Sequence, residues 1–117
     1  MHNFKELKVW QKARCLVKEV YTLTKKFPKE ELFSLTSQIR RAVVSIPSNI
    51  SEGCGRGTNK QFHYFLEISL GSSCELETEL LLSFDLEYIT QIELDSVHST
   101  ILEIQRMLQS LMNSLDK

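Results

Sequence analysis

The chain has 117 residues, with a hydrophobic fraction of 42%, 25% charged residues, and 14 Lys and Arg against 15 Asp and Glu. This composition is typical of a soluble globular protein and excludes intrinsic disorder, and the length suits one domain over residues 1–117. No uncharged apolar run approaches the ~18 residues that a membrane span requires. The first residues have neither an apolar signal core nor an Arg-rich transit pattern, so we expect a cytoplasmic protein without a membrane partner.

Four segments carry apolar residues at alternating three- and four-residue steps, which is the spacing that lines one face of an α-helix. The first predicted helix covers about residues 7–26 and ends before Pro28, because the residue that precedes a proline disfavours helical backbone. The second covers about residues 34–52. It contains Pro47, which should kink the helix because proline has no N–H to bond to the carbonyl of Val43.

The third predicted helix covers about residues 58–86, after a Gly-rich loop that begins at Gly53, and the fourth covers residues 91–115. Thr58 and Thr90 stand at their starts, each followed three residues later by Gln or Glu, which is the pattern of a capping box. No segment shows sustained period-two alternation, so no strand is predicted. Four amphipathic helices with short connections predict an all-α fold, an up-down-up-down antiparallel four-helix bundle.

Charge is distributed unevenly along the chain. Residues 1–60 hold twelve basic and five acidic side chains, whereas residues 61–117 hold two basic and ten acidic ones. Two interpretations follow. The basic half either contacts an anionic partner such as RNA or a ribonucleoprotein, or the two halves neutralise each other within one bundle or between subunits.

The third predicted helix is apolar over more than one stripe. A lone bundle buries one stripe per helix, so the second stripe indicates a further partner, and we predict a closed homo-oligomer with head-to-tail contacts. The alternative is one wide stripe covered by the two neighbouring helices. Small residues at 71–73 would let another helix come close. The candidate oligomer-interface residues are Leu70, Cys74, Leu81 and Phe84.

Polar and charged residues share one face of the second helix and the loop after it. The members of this polar cluster are Arg41, Ser45, Ser48, Asn49, Glu52 and Arg56. Such groups can satisfy one another as a structural network, or they can form an anion site beside the start of the third helix. The candidate nucleic-acid-binding residues are Arg40, Arg41, Arg56 and Lys60.

Enzymatic interpretations find little support in the residues. One Asp95-x-x-His98 pair and a looser His63 to Glu67 spacing fall short of the ligands of a di-iron bundle. Three cysteines without CxxC spacing indicate free thiols, and Cys54 could be activated only by Arg56 nearby. We therefore predict no catalytic residue, no metal site and no cofactor.

Several segments together resemble the 23S rRNA-intervening-sequence proteins. They are VWQKA (9–13), FP (27–28), LTSQIRRA (35–42), SIPSNI (45–50), EG (52–53), GR (55–56), GS (71–72) and ELE (75–77). The resemblance implies a small bacterial four-helix bundle that assembles as a homopentamer and has no established biochemistry. The family is named after genes inside inserts in large-subunit rRNA genes, so its link to RNA is one of genetic context.

A similar bundle, the accessory variability determinant of diversity-generating retroelements, is basic and binds nucleic acid. The acidic second half of this chain departs from that relative. Ser34 and Ser51 replace the family's usual Gly and Ala, and Glu87 stands where Gly often ends the third helix.

Two hypotheses follow for function. The first is a non-enzymatic oligomeric interaction protein, associated with RNA or a ribonucleoprotein. The second is a bundle that binds a small anion, or is catalytic, through Arg41, Asn49, Glu52 and Arg56.

Overall fold

The computed structural model describes residues 3–116, and its regular elements are all helical. Four α-helices follow one another along the chain: α1 (Lys8–Thr24), α2 (Leu35–Cys54), α3 (Asn59–Asp85) and α4 (Gln91–Leu115). Two short 3₁₀ turns, Phe4–Glu6 and Lys29–Glu31, precede α1 and α2. Over the described residues there is no strand, so the all-α prediction is confirmed.

The helices pack in the order in which they occur. α1 contacts α2, α2 contacts α3, α3 contacts α4, and α4 closes the bundle by returning to α1. The bundle measures 44 × 24 × 20 Å, and the up-down-up-down prediction is confirmed. All four helices contribute to one apolar core. Its largest fully buried side chains are Leu16, Val20, Ile39, Val43, Ile46, Ile50, Leu66, Leu76, Leu80, Ile101, Ile104 and Leu108.

Both predicted capping threonines begin a helix. The Thr58 side chain accepts a hydrogen bond from the backbone N–H of Gln61 at 3.1 Å. At α4, the Thr90 hydroxyl accepts from the N–H of Glu93, while the Glu93 carboxylate accepts from the N–H of Thr90. These bonds satisfy N–H groups that have no partner inside the helix, and so they fix where α3 and α4 start.

Helix α2 continues past its predicted end. It runs as one helix through Pro47 to Cys54, so the Gly-rich connection to α3 is shorter than expected and Gly53 lies inside the helix. A Cβ built on Gly53 would come within 2.8 Å of Phe62 Cδ1 and 3.0 Å of Phe65 Cβ. The absent side chain at position 53 therefore lets α2 approach α3 closely. A kink at Pro47 stays a prediction.

Just after α3, the backbone adopts a conformation that is usually found at glycine, although the residue is a glutamate. Glu87 has φ 66°, the left-handed conformation in which L-residues are strained. The N–H of Glu87 donates to the carbonyl of Phe84, and that of Tyr88 donates to the carbonyl of Ser83, both at 2.9 Å. This pair of bonds is a Schellman motif, which ends the helix at Asp85.

None of the helices described between residues 3 and 116 combines the length and the apolar composition needed to cross a membrane.

Candidate interaction surface on α2 and α3

The predicted polar cluster separates into two groups. In the first, Asn49 Nδ2 donates to the backbone carbonyl and to the hydroxyl of Ser45, both at 2.8 Å. The Ser45 hydroxyl lies 2.7 Å from that of Ser72 on α3. This group therefore joins α2 to α3.

The second group lies at the end of α2. Arg56 forms a 3.1 Å ion pair with Glu52, and its guanidinium lies 4.9 Å from the ring centre of Phe65. The backbone carbonyl of Ser48, one turn earlier, accepts a 3.0 Å hydrogen bond from the Ser51 hydroxyl. Arg56 is thus already paired and stacked by groups of its own chain.

Arg41 belongs to neither group. Among residues 3–116 it forms no ion pair or side-chain hydrogen bond, and it is exposed. Its neighbour Arg40 is held in place, because its Nε donates to the Thr24 hydroxyl at 2.9 Å and its guanidinium stacks 4.8 Å from the Tyr21 ring. Arg41 is the guanidinium of this helix that stays available to a partner.

The four candidate nucleic-acid-binding residues do not converge on one spot. Arg40 and Arg41 lie near the start of α2, whereas Arg56 and Lys60 flank the connection to α3. The fifteen residues from Arg41 to Arg56 correspond to roughly 22 Å along a helix axis. A ligand that contacts both ends must therefore be extended.

An open groove runs along the outer side of α1 and α2. It has a volume of about 680 Å³, and Tyr21, Leu32, Val44 and Arg41 contribute to its lining. Phe33, in the connection before α2, also lines this groove and is 92% exposed. Sequence periodicity missed Phe33 because it lies outside every helix. In the sequence, the feature that could have drawn attention to Phe33 is a large apolar side chain next to the polar Ser34, outside any helical pattern.

A second cavity, hereafter the cleft, opens between α2 and α3. It has a volume of about 510 Å³ and is lined by Gln38, Arg41, Glu75, Thr78 and Glu79. Glu79 is only 7% exposed, and its Oε1 has no hydrogen-bond partner among residues 3–116. Burial, and secondarily the charge of Glu75, raise the pKa of Glu79 to about 7.

Sequence analysis missed Glu79 as well. In the sequence this residue counts only toward the ten acidic side chains of residues 61–117. The four-residue spacing from Glu75 to Glu79 was the signal that could have found the cleft, because it puts both carboxylates on one face of α3.

The candidate oligomer-interface residues divide between core and surface. Leu70 and Phe84 are half-buried and pack against the core, whereas Cys74 and Leu81 are exposed. Of the small residues at 71–73, Ser72 contacts Ser45 and Ser73 is buried. The helix that comes close at this point is therefore α2 of the same chain.

Gly71 differs from its neighbours, because a Cβ built on it would meet nothing within 4 Å. Position 71 thus faces open space in the single chain.

The histidines considered for metal binding have local partners. His98 Nε2 lies 2.7 Å from a Glu77 carboxylate oxygen, and hydrogen bonds from Gln105 and His98 lower the pKa of Glu77. His63 lies between Glu67 and Asp116. Between residues 3 and 116, no three or more His, Cys, Asp or Glu side chains are arranged so that they could hold one metal ion.

Cys54 is buried, and desolvation raises the pKa of its thiol. Because the thiolate is the reactive form, this burial opposes the activation by Arg56 that the sequence left open.

Opposite charges meet along the contact between α1 and α4. Lys12 pairs with Glu103 at 3.2 Å, and Lys26 pairs with Glu93, which lowers the pKa of that carboxylate. The basic and acidic parts of the chain therefore neutralise each other here. Of the twelve basic side chains in residues 1–60, only these two and Arg56 form ion pairs with described residues.

Comparison with known proteins gives a family and a fold. A family model described as 23S rRNA-intervening sequence protein matches residues 5–110. The chain is also similar to a crystal structure described as a protein with unknown function from the S23 ribosomal protein family of Bacteroides thetaiotaomicron VPI-5482. The two chains are 29% identical with a TM-score of 0.83, over 90% of this chain and 95% of that one. Curated proteins give no match.

Proposed function

The chain belongs to the 23S rRNA-intervening sequence protein family, and on that premise we propose that it is a cytoplasmic, non-enzymatic protein that assembles with copies of itself. The observation that carries the proposal is a surface of α2 and α3 on which apolar side chains are exposed beside unpaired charges of both signs. Phe33, just before α2, is 92% exposed, Leu82 on α3 is 48% exposed, and Leu86, directly after α3, is 52% exposed. Arg41 and Glu79 lie on the same side of the bundle.

These apolar side chains lie at one end of the bundle. The Tyr88 hydroxyl, just after α3, donates a 2.7 Å hydrogen bond to Glu31, just before Phe33. The segment that carries Phe33 therefore neighbours the end of α3, where Leu86 lies. Exposed aromatic and aliphatic side chains with arginine nearby are typical of protein interfaces. We call the surface formed by Phe33, Arg41, Leu82, Leu86 and the cleft the docking face.

Charge supports association between copies. The basic side chains that form no ion pair with the described residues lie mainly on α1, α2 and the segments that flank them, whereas α3 and α4 are acidic. A head-to-tail arrangement sets the basic side of one copy against the acidic side of the next, and such an arrangement forms a ring when its rotation closes. Five copies is the number that the family resemblance implies.

Sedimentation velocity at micromolar concentration tests this proposal. The wild-type protein should sediment as a closed oligomer, and Phe33→Ser combined with Leu82→Ser should shift it to the monomer. Ile92→Ser is the matched control, since Ile92 is 83% exposed but lies on the α1–α4 side of the bundle. A wild-type monomer rejects the proposal, as does a docking-face variant that assembles normally.

Association with RNA is a second candidate, favoured by the unpaired basic side chains of the first half. Arg41 and Lys60 are the members of the predicted set without a protein partner in residues 3–116. Each phosphate contact to a single strand makes the slope of log affinity against log salt about 0.7 more negative. RNA affinity at several salt concentrations should therefore lose slope in Arg41→Glu with Lys60→Glu. Absence of binding at low salt removes this candidate.

The alternative of a small-anion or catalytic site is less well supported. It requires Arg41, Asn49, Glu52 and Arg56 to converge, whereas Asn49 bonds to Ser45 and Glu52 pairs with Arg56. Binding of inorganic phosphate that is lost in Arg41→Gln would favour it over the interaction protein.

A further inference from the structure

Glu79 carries a buried carboxyl group on α3. It is 7% exposed, and its Oε1 receives no hydrogen bond from any residue in 3–116. A buried ionised carboxylate is strongly unfavourable unless a cation or several donors compensate it. Since Glu79 lines the cleft rather than the core, a compensating group can reach it from outside.

The charged groups that face Glu79 leave the cleft unbalanced. On α3 the neighbour is Glu75, and on α2 it is Arg41, while Gln38 and Thr78 complete the lining without charge. Arg41 forms no ion pair within 4 Å with either carboxylate, and no charged side chain of α1 or α4 lines the cleft. When Glu79 is ionised, two carboxylates against one guanidinium leave one negative charge, which a single added cation balances.

The cleft also has the size and surroundings of a docking site. Its volume of about 510 Å³ has room for a guanidinium or ammonium group with part of its aliphatic stem. Leu82 lies on the same face of α3 as Glu75 and Glu79, seven residues beyond Glu75, and Leu86 follows directly after the helix. Both leucines are exposed. A basic side chain that enters the cleft can thus be accompanied by apolar contacts beside it.

We infer that the cleft between α2 and α3 receives a lysine or arginine side chain from a second copy of this chain, which pairs with Glu79. The second copy is the partner with the matching charge, because most of the basic side chains of residues 1–60 form no ion pair with any residue in 3–116. The inference rests on the proposed self-association and identifies the acceptor site within it.

Sedimentation equilibrium of the full chain at pH 6 and pH 8 provides the test. Glu79→Gln keeps the shape of the side chain and removes its charge, so association at pH 8 should weaken at least tenfold. The wild type should associate more weakly at pH 6 than at pH 8, since protonation of Glu79 removes the ion pair, and Glu79→Gln should lose this difference. Glu67→Gln is the matched control on the same helix, because Glu67 is exposed and lies three turns away.

A second cleft variant and the oligomeric state of the wild type distinguish failure of this inference from failure of the proposed self-association. Glu75→Gln changes an exposed residue of the cleft, so the fold tolerates it, and it should weaken association several-fold. If the wild type assembles but neither cleft variant affects its association, this inference is overturned while the proposed self-association stands. If the wild type is monomeric at both pH values, both are overturned.

Discussion

The contact between α1 and α4 and the contact between α2 and α3 use opposite means to hold the same bundle together. Along α1 and α4, ion pairs bridge the helices at the surface, as between Lys12 and Glu103. Along α2 and α3, small residues bring the backbones close, and the buried Ser69 hydroxyl donates to the carbonyl of Ile46 at 2.9 Å. Here the charged side chains Arg41 and Glu79 are left unpaired.

This difference shows where the chain keeps free binding capacity. Exposed ion pairs contribute little to stability but neutralise the surface that carries them. The α2–α3 contact derives its strength from packing, so its charges need not pair within the chain. The unneutralised side of the bundle is therefore the one on which a partner gains most from electrostatic contacts.

The largest expected effect comes from Glu79. Because its pKa in the folded chain is about 7 against an ordinary value of 4.5, the folded state binds this proton more tightly than the unfolded state does. The free energy of unfolding of the monomer should therefore rise as pH falls from 8 toward 4.5. A shift of this size corresponds to about 3 kcal/mol at most.

Urea unfolding at several pH values, at concentrations where light scattering shows a monomer, measures this effect. Glu79→Gln should be more stable than the wild type at pH 8, and the difference between the two should shrink at pH 5. Equal stabilities at pH 8 would mean that Glu79 is compensated within the single chain.

The same glycine substitution should have opposite effects at two positions. Gly53→Ala puts a methyl group within 2.8 Å of Phe62 Cδ1, so α2 and α3 must separate, at a cost of about 1–3 kcal/mol. Gly71→Ala meets nothing within 4 Å and should stabilise α3 by about 0.5–1 kcal/mol. Thermal unfolding of both variants measures these two changes in stability. A stabilising Gly53→Ala would show that the α2–α3 contact is looser than its geometry indicates.

Helix periodicity predicted the fold because the signal lies within each segment. Four stripes of apolar side chains gave the number and order of the helices, and the threonines at 58 and 90 gave the starts of α3 and α4 within one residue. The end of α2 was predicted too early, because Gly53 reads as a loop residue until the helix that it contacts is known. That contact involves Phe62, on a different helix.

The roles of the residues on the candidate interaction surface were harder to predict, because they too depend on contacts with another helix. Sequence grouped Arg41 with Ser45 and Glu52 because all three share a face of α2, yet the neighbours that distinguish Arg41 and Ser45 lie on α3. Ser72 engages Asn49's partner Ser45, and Glu79 lies with Arg41 in the cleft. Spacing along one helix shows which residues share a face. It does not show which residue of the next helix they meet.

Glu87 lies in neither the α1–α4 contact nor the α2–α3 contact, so a substitution at this position provides a reference for the stability changes expected at those contacts. Glu87 holds a left-handed conformation at the end of α3, and Glu87→Gly relieves its strain while adding freedom to the unfolded chain. The net result should be a stabilisation of about 1 kcal/mol, seen as a higher midpoint in urea with an unchanged slope. Glu87→Ala, which keeps the strained backbone, is the control and should give no comparable gain.

The smallest expected effect is a coupling energy between two charged side chains. It distinguishes the α1–α4 contact from the α2–α3 contact most directly. A double-mutant cycle on Lys12→Met and Glu103→Gln should give a coupling energy of about 0.5 kcal/mol that falls with added salt, since both side chains are more than 40% exposed. The same cycle on Arg41→Met and Glu75→Gln in the monomer should give no coupling, because Arg41 forms no ion pair with any residue that the structure describes. Substantial coupling of Arg41 to Glu75 in the monomer would mean that the α2–α3 contact neutralises its own charges. The cleft would then have no surplus negative charge to offer a second copy.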